Sequence, residues 1–197
     1  MGRSEPDSRQ LRRSALAARR ALSDRQRTLA SLAICERAFA AIEHRANANI
    51  ALYLPAADEV DTWPLIERAL RSRKRIFLPV IEKKHSMSFA EYSTDHELVR
   101  NRYDLLQPNG SSKLDARELD YVFAPVVVFD ELGNRIGMGG GYYDRAFAFL
   151  RNRDLFRKPK LVGLAFDCQK AARIHANPWD IALFQVVTET GEKVIGN

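Results

Sequence analysis

The amino-acid sequence predicts an α/β fold: a central, mixed and mostly parallel β-sheet flanked by helices, with a helical segment at the N-terminus. Short apolar runs typical of buried strands alternate along the chain with segments of helical periodicity, which is the pattern of layered α/β proteins. The length of 197 residues suits one domain with a substantial core. We therefore treat residues 1–197 as a single domain and expect residues 1–8 to form a flexible tail.

The individual elements follow from spacing and capping residues. Apolar residues at positions 11, 15, 18 and 22 lie on one face of an amphipathic helix over residues 9–22. Ser23 is a favourable N-cap for a second helix over about residues 24–43, and Thr62 is one for a third. A fourth helix is predicted to follow a glycine-rich segment and to run through Leu150. Predicted strands cover residues 49–54, 75–80, 87–92, 120–125, 161–166 and 185–188.

The positive charge is concentrated at the N-terminus. Eight arginines and three acidic residues lie in residues 1–27, so this segment carries +5 of the formal net charge of +6. A basic helix suits phosphates, acidic cofactors or nucleic acid, and the alternative is a solvated helix face. The longest apolar run, Val122–Phe129, is too short to span a bilayer, and the first residues lack the apolar stretch of a secretory signal. We expect a cytoplasmic protein without a membrane partner and favour a monomer.

The glycine-rich segment is the strongest functional signal. Gly137, Gly139, Gly140 and Gly141 occupy four of five consecutive positions between a predicted strand and a predicted helix. Glycine is costly in conformational entropy, and a turn alone requires one or two of them. Four allow a backbone to approach a ligand closely, with several N–H groups pointing at it beside a helix N-terminus. The segment therefore indicates a phosphate site, and a glycine-rich hairpin without a ligand is the alternative.

Two side chains that flank the glycines suit the same ligand. Arg135 can offer a permanently charged, bidentate contact to a phosphate. Asp144 supplies a hard oxygen ligand where a bound phosphate would place its magnesium ion. The segment thus predicts a phosphate site that can also hold Mg²⁺.

Residues 135–145, Arg-Ile-Gly-Met-Gly-Gly-Gly-Tyr-Tyr-Asp-Arg, together with the preceding Ala-Pro and Phe-Asp pairs, resemble the signature of the 5-formyltetrahydrofolate cyclo-ligase family, also called methenyltetrahydrofolate synthetases. Weaker similarity in the same order covers Leu11–Ser23, Tyr53–Thr62, Leu161–Asp167 and Pro178–Thr188, so that the resemblance extends from about residue 9 to 190. It implies an enzyme that uses ATP and Mg²⁺ to convert 5-formyltetrahydrofolate into 5,10-methenyltetrahydrofolate, ADP and phosphate. ATP would phosphorylate the formyl oxygen, and N10 would close the ring.

The resemblance also implies the site residues. Arg135 and Tyr142 are the expected catalytic residues. The expected ATP contacts are Ser8, Arg9, Arg12, Arg135, Gly137, Met138, Gly139, Gly140, Gly141, Tyr142 and Tyr143. The expected folate contacts are Leu54, Glu59, Met138, Gly139, Gly140, Gly141 and Tyr142, and the expected magnesium ligands are Asp144 and Asp180. Among the N-terminal arginines we expect Arg12 to matter most for ATP, Arg9 to come second, and Arg25 and Arg27 to matter little.

Glu59 has a chemical reason for its assignment, because a carboxylate accepts paired N–H bonds from a pterin ring; the alternative is a solvated loop acid. The chain departs from the family where Ser8 and Arg9 replace a common lysine, at Gly140, where some members have lysine, and over Tyr103–Pro108.

Two other functions are compatible with parts of the sequence. The first is a non-catalytic protein whose arginine-rich helix binds RNA, but that helix has no interleaved aromatic residues for base stacking. The second is an ATP-dependent enzyme that acts on a different acid or formyl compound with the same phosphate loop. We expect small-molecule substrates and no nucleic-acid partner.

Overall fold

The computed structural model describes residues 7–110, 112–152 and 158–195. The α-helices are α1 (Ser8–Ala21), α2 (Asp24–Ala40), α3 (Trp63–Arg71) and α4 (Tyr142–Ala146). The first six strands are β1 (Asn49–Ala51), β2 (Arg75–Ile81), β3 (Met87–Tyr92), β4 (Leu98–Arg100), β5 (Leu106–Pro108) and β6 (Lys113–Leu114). The remaining strands are β7 (Tyr121–Pro125), β8 (Val128–Phe129), β9 (Arg135–Ile136), β10 (Lys160–Leu164), β11 (Gln185–Val187) and β12 (Glu192–Val194).

Eight of these strands form one mixed sheet in the order β12-β11-β10-β7-β1-β2-β3-β6. The central five, β11, β10, β7, β1 and β2, run parallel, and the outer three pair antiparallel. The predicted fold class, a mixed and mostly parallel sheet with helices and an N-terminal helical segment, is confirmed. Two short antiparallel hairpins, β4–β5 and β8–β9, lie outside the main sheet.

The sheet separates two apolar cores because successive strand residues point to opposite faces. Ile50 of β1 packs with residues of α2 and α3 on one face. Its neighbour Ala51 packs on the other face with Phe147 and Leu150, which follow α4. Helices α2 and α3 therefore cover one face of the sheet, and the segment around α4 covers the other. Among the described residues, no helix is both long and apolar enough to cross a membrane.

Helix α1 begins at Ser8, a residue that the sequence analysis placed in the tail, because the Asp7 side chain caps it by accepting from Gln10 N at 2.8 Å. Residues 1–6, the rest of that predicted tail, lie outside the described residues. The buried Ala15 of α1 packs against Val128 and Ile136 of the β8–β9 hairpin. This packing fixes α1 against the segment that leads into the glycines.

The fourth helix differs from its prediction. Instead of running through Leu150, α4 spans five residues and is followed by a 3₁₀ turn over Ala148–Asn152. A helix this short aligns few peptide dipoles, so the dipole of α4 adds little to anion binding. We therefore expect an anion at this loop to be bound by the N–H groups of the glycine backbone and by nearby cations, and not by a helix N-terminus.

Candidate active site

The topology predicts a crevice at the carboxyl ends of β1 and β7. These two neighbouring parallel strands lie at the centre of the sheet. From β1 the chain continues to β2 on one side, whereas from β7 it continues to β10 on the other. Such a reversal of direction leaves a crevice outside the strand ends, where α/β proteins bind ligands. The loop with Glu59 follows β1, and the glycine segment follows β7, so both predicted half-sites begin at this crevice.

The glycine loop adopts the backbone that its composition predicts. Gly139 has φ 98° and Gly141 has φ 62°, both in the left-handed region that glycine favours. Gly141 is also the residue from which α4 begins. Gly137 differs, because its φ is not positive and a Cβ added to it would meet nothing within 4 Å. Backbone strain and crowding therefore explain Gly139 and Gly141, but not Gly137. Met138 between them is 65 % exposed.

Two arginines hold the glycine loop through its carbonyl groups. Nε of Arg12 in α1 donates to Gly137 O at 2.9 Å. Arg145 donates to Gly140 O at 2.6 Å and to the backbone oxygen of His85 at 3.0 Å. Bonds to carbonyl oxygens leave the loop N–H groups available to an anion and bring two positive charges close to them. Ser8 and Arg9, the other predicted N-terminal contacts, are exposed in the first turn of α1.

Arg135 and Asp144 form an ion pair beside the loop. Arg135 Nη2 lies 2.7 Å from Asp144 Oδ1, and the arginine side chain is only 6 % exposed. The second terminal nitrogen of Arg135 donates to the carbonyl oxygen of Ile181. Because each terminal nitrogen carries two N–H groups, Arg135 retains donors for a phosphate. The Ile181 N–H also donates to Asp144 Oδ1, at 3.2 Å, which brings Asp180 next to this pair.

The two predicted magnesium ligands have suitable oxygens. In the described part of the chain, the hydrogen bonds to Asp144 use Oδ1, and those to Asp180 use Oδ2, which accepts from Asn177 N and Nδ2. One carboxylate oxygen of each residue thus makes no described hydrogen bond. The described residues contain no cluster of three or more potential ligands, but Mg²⁺ usually binds one or two carboxylates together with phosphates and water. The donor set therefore fits Mg²⁺ that arrives with a nucleotide.

Glu59 is a partly buried acid rather than a solvated one. Its Oε2 accepts from Ala56 N at 3.0 Å. Burial raises the pKa of Glu59, and the bond from Ala56 opposes this rise. Burial also raises the pKa of Tyr143, the neighbouring Glu59 carboxylate raises it further, and Arg135 lowers it. The charges of Glu59 and Arg135 therefore both act on the Tyr143 hydroxyl. Leu54, the other predicted folate contact, is partly buried against the core.

Tyr142, a predicted catalytic residue, lies in an aromatic and cationic cluster. Its hydroxyl is 2.8 Å from the hydroxyl of Tyr103, and Arg102 Nη2 donates to it at 3.4 Å. The bond with Tyr103 lowers the pKa of Tyr142, and Arg102 and Arg145 lower it further. Tyr103 is at the tip of the β4–β5 hairpin. The stretch in which the sequence departs from the family pattern therefore reaches the site.

Comparison with known proteins favours one of the functions that the sequence leaves open. The model of the 5-formyltetrahydrofolate cyclo-ligase family matches residues 4–189. The chain belongs to this family. It is 35 % identical to the Haemophilus influenzae 5-formyltetrahydrofolate cyclo-ligase over 82 % of this chain and 87 % of the relative. It is 40 % identical to the Escherichia coli enzyme of that name over 71 % and 77 % of the two chains.

A solved structure shares the whole fold. The Aquifex aeolicus 5,10-methenyltetrahydrofolate synthetase superimposes with a TM-score of 0.82 at 27 % identity, over 96 % of this chain and 93 % of that one. Family membership makes the chain an enzyme of the ligase class.

Some residues at this candidate site have no role that the sequence alone predicts. Arg145 was read only as part of the motif, although it anchors the glycine loop. Arg27 was expected to matter little, yet its Nη1 donates to Ala57 O at 3.0 Å, two residues from Glu59. Arg19 is 3 % exposed and lies four positions after the buried Ala15, on the same helical face. This spacing is the signal that could have identified it.

A surface depression of about 310 Å³ lies elsewhere, at the amino ends of β1, β7 and β10, where Arg45, Asp120, Lys158 and Lys160 contribute to its wall. Because it is at the opposite edge of the sheet from the glycine loop, we do not assign it to the cyclo-ligase site.

Proposed function

We propose that this protein catalyses the ATP- and Mg²⁺-dependent conversion of 5-formyltetrahydrofolate into 5,10-methenyltetrahydrofolate. The formyl oxygen attacks the γ-phosphorus of ATP, and the bond to ADP breaks. N10 then forms a bond to the formyl carbon and loses its proton. The phosphorylated oxygen leaves as inorganic phosphate, which takes up this proton, while the electron pair of N5 completes the cationic five-membered ring. Family membership supports the reaction class, and the structure supports the site assignment.

One observation carries the assignment of the two substrates. The loop with Glu59 follows β1, and the segment with Arg135 and the glycines follows β7, the parallel neighbour of β1 in the sheet. A carboxylate that accepts pterin N–H groups therefore lies close to an arginine that donates to phosphate. A crevice with Glu59 at one side and the glycine loop at the other places a formyl oxygen near the γ-phosphate. Such positioning is the main requirement of phosphoryl transfer.

The remaining residues supply charge and orientation. Arg12 and Arg135 donate to the phosphate oxygens, on which negative charge accumulates as the phosphoryl group moves. Asp144 and Asp180 hold Mg²⁺, which supplies charge neutralisation at the phosphates when it is bound. Tyr142 orients the formyl group through its hydroxyl, and Met138 covers the substrates from the exposed side of the loop. Ser8 and Arg9 extend the contact of α1 with the nucleotide.

The absorbance of the methenyl product tests this proposal directly. We expect the purified protein to form the product from 5-formyltetrahydrofolate only when ATP and Mg²⁺ are both present, with one ADP released for each product molecule. ATP hydrolysis that depends on another formyl or acid compound, without the methenyl product, would instead support the related enzyme with a different substrate.

The RNA-binding alternative requires that the arginines of α1 form an exposed basic face. Arg12 and Arg19 turn towards the protein and bond to Gly137 and Asp58, so they are not part of an exposed basic face. This arrangement favours small-molecule substrates, with no nucleic-acid partner. The monomer that we favour is compatible with a crevice that the described residues of one chain build.

Gly137→Ala tests whether the glycine loop approaches a ligand. The added methyl group meets no protein atom and the φ of Gly137 is not positive, so we expect an unchanged melting temperature. It projects into the space that the nucleotide would occupy, so the KM for ATP should rise by about tenfold, because close backbone approach is lost.

The matched control is Gly191→Ala. Gly191 also has no atom within 4 Å of an added Cβ and no positive φ, and it lies in the turn between β11 and β12. We expect this variant to retain the wild-type KM for ATP. Equal kinetic behaviour of the two variants would assign Gly137 to the turn alone.

A further inference from the structure

The loop that carries Glu59 is attached to α1 by a partly buried ion pair. Arg19 Nη2 donates to Asp58 Oδ1 at 2.9 Å, and the Arg19 side chain is 3 % exposed. Burial of Asp58 opposes its ionisation, yet the Arg19 guanidinium holds the pKa of this carboxyl below its usual range. The pair spans 39 positions of the sequence and joins the residue next to Glu59 to the N-terminal helix.

The same helix carries the cation that contacts the glycine loop. Arg12 and Arg19 are seven residues apart, which corresponds to two turns and about 10 Å along a helix axis. Between them, Ala15 is fixed against the β8–β9 hairpin. One rigid helix therefore contacts Gly137 through Arg12 and Asp58 through Arg19. A displacement of either half-site is transmitted to the other through α1.

Stability alone does not explain an arginine at position 19. Its Nε is buried and donates to no acceptor among the described residues. An unpartnered buried donor is unfavourable, and an apolar side chain of similar length would avoid this cost. The unsatisfied group therefore points to a role of Arg19 in the site and not in the core.

We propose that Arg19 is a positioning residue that couples the two substrate half-sites, by holding the loop with Glu59 in register with the helix that carries Arg12. The inference rests on the proposed function, in which Glu59 contacts the folate and Arg12 contacts ATP. Its consequence is reciprocal: each substrate binds more tightly when the other has already ordered α1 and the loop.

The test compares Arg19→Met with Arg20→Met. Arg20 also pairs with Asp58, at 3.4 Å, but its side chain is 67 % exposed, so it is a control for the charge near Asp58. The readouts are the KM values for both substrates, kcat, and the affinity for a non-hydrolysable ATP analogue with and without 5-formyltetrahydrofolate.

In Arg19→Met we expect both KM values to rise by about fivefold and the mutual enhancement of binding to disappear, while kcat changes less. The melting temperature should fall by only a few degrees, because methionine fills the buried volume but leaves Asp58 with the exposed Arg20 as its partner. Arg20→Met should match wild type in all readouts. Asp58→Asn should reproduce Arg19→Met, and the double variant should be no worse than either single variant, because both remove one link. Arg19→Lys should restore part of the coupling.

Three results would overturn the inference while leaving the function intact: additive effects of Arg19→Met and Asp58→Asn, equal effects of Arg19→Met and Arg20→Met, or unchanged coupling in Arg19→Met. If Arg19→Met does not fold, the comparison of Asp58→Asn with Arg20→Met tests the inference in the same way. Absence of the methenyl product from the wild-type protein is distinguishable, because it removes the proposed function and this inference together.

Discussion

Asp144→Asn should lower kcat/KM by roughly a hundredfold at ordinary Mg²⁺ concentrations, and excess Mg²⁺ should restore part of the loss. Asparagine keeps an oxygen that can accept from Arg135 and from Ile181 N, so the local geometry should survive. It removes the negative charge that binds the metal, and a loss of about 3 kcal/mol in transition-state stabilisation corresponds to about two powers of ten in rate. The measurement is activity against Mg²⁺ concentration, with the melting temperature determined in parallel.

The control for Asp144 is Asp120→Asn. Asp120 pairs with Lys158 at the opposite edge of the sheet, and its side chain is 23 % exposed, against 27 % for Asp144. Both substitutions remove the carboxylate charge of an ion pair. Because Arg135 is buried and Lys158 is exposed, the melting temperature should fall more in Asp144→Asn than in Asp120→Asn. Only Asp144→Asn should shift the Mg²⁺ requirement. If the two variants share the same Mg²⁺ dependence, Asp144 serves to neutralise Arg135 and does not bind the metal.

The sequence predicted the sheet well because its strands are buried on both faces. Continuous apolar runs such as Tyr121–Pro125 and residues 161–164 have few other stable structures in a chain of this length. The strand ends were harder to predict, and β1 stops at Ala51, three residues before the predicted end. Pairing partners determine where a strand ends, and these partners are remote in sequence.

Helix α4 shows what local patterns could not predict. The residues after Gly141 have helical spacing, but packing of Phe147 against Phe89 of β3, with ring centroids 5.7 Å apart, accompanies the change to a 3₁₀ turn. Tertiary contact therefore overrides local propensity here. The consequence is functional, because anion binding at the loop depends more on backbone N–H groups, Arg12 and Arg135 than on a helix dipole.

Only part of the candidate site could be predicted from the sequence, for a similar reason. The glycines and Arg135 lie within one short segment, so their relation was visible in the sequence. The link between Arg19 and Asp58 and the approach of Tyr103 to Tyr142 join segments about 40 residues apart. No spacing rule connects such segments, and their proximity follows only from the order of the strands.

Glu59→Gln should raise the KM for 5-formyltetrahydrofolate by about ten- to a hundredfold and leave the KM for ATP nearly unchanged. A hydrogen bond to a charged group is worth about 1.5–3 kcal/mol, which corresponds to this range of affinity. Glutamine keeps the acceptor for Ala56 N but replaces one carboxylate oxygen by an NH₂ group, which cannot accept from the pterin.

Glu189→Gln is the matched control for Glu59. Glu189 is also partly buried, lies after β11 at the same edge of the sheet, and accepts from the backbone N–H of Asp167 at 3.0 Å. We expect Glu189→Gln to retain the wild-type KM for the folate. A similar rise in both variants would mean that the loss comes from the loop backbone and not from a contact with the pterin.

Glu59→Gln should stabilise the free protein at neutral pH, although it lowers the affinity for the substrate. Because burial raises the pKa of Glu59, the folded state binds protons more readily than the unfolded state. The contribution of Glu59 to stability is therefore most favourable below its unfolded pKa and is lost as the pH rises through the raised folded pKa. At pH 7 the wild-type protein carries the cost of a buried charge, which the variant lacks. Thermal unfolding should thus show the melting temperature of the variant gaining on that of the wild type between pH 4 and pH 7. If the melting temperature of the variant instead falls relative to that of the wild type over this pH range, a partner in the free protein stabilises the Glu59 carboxylate.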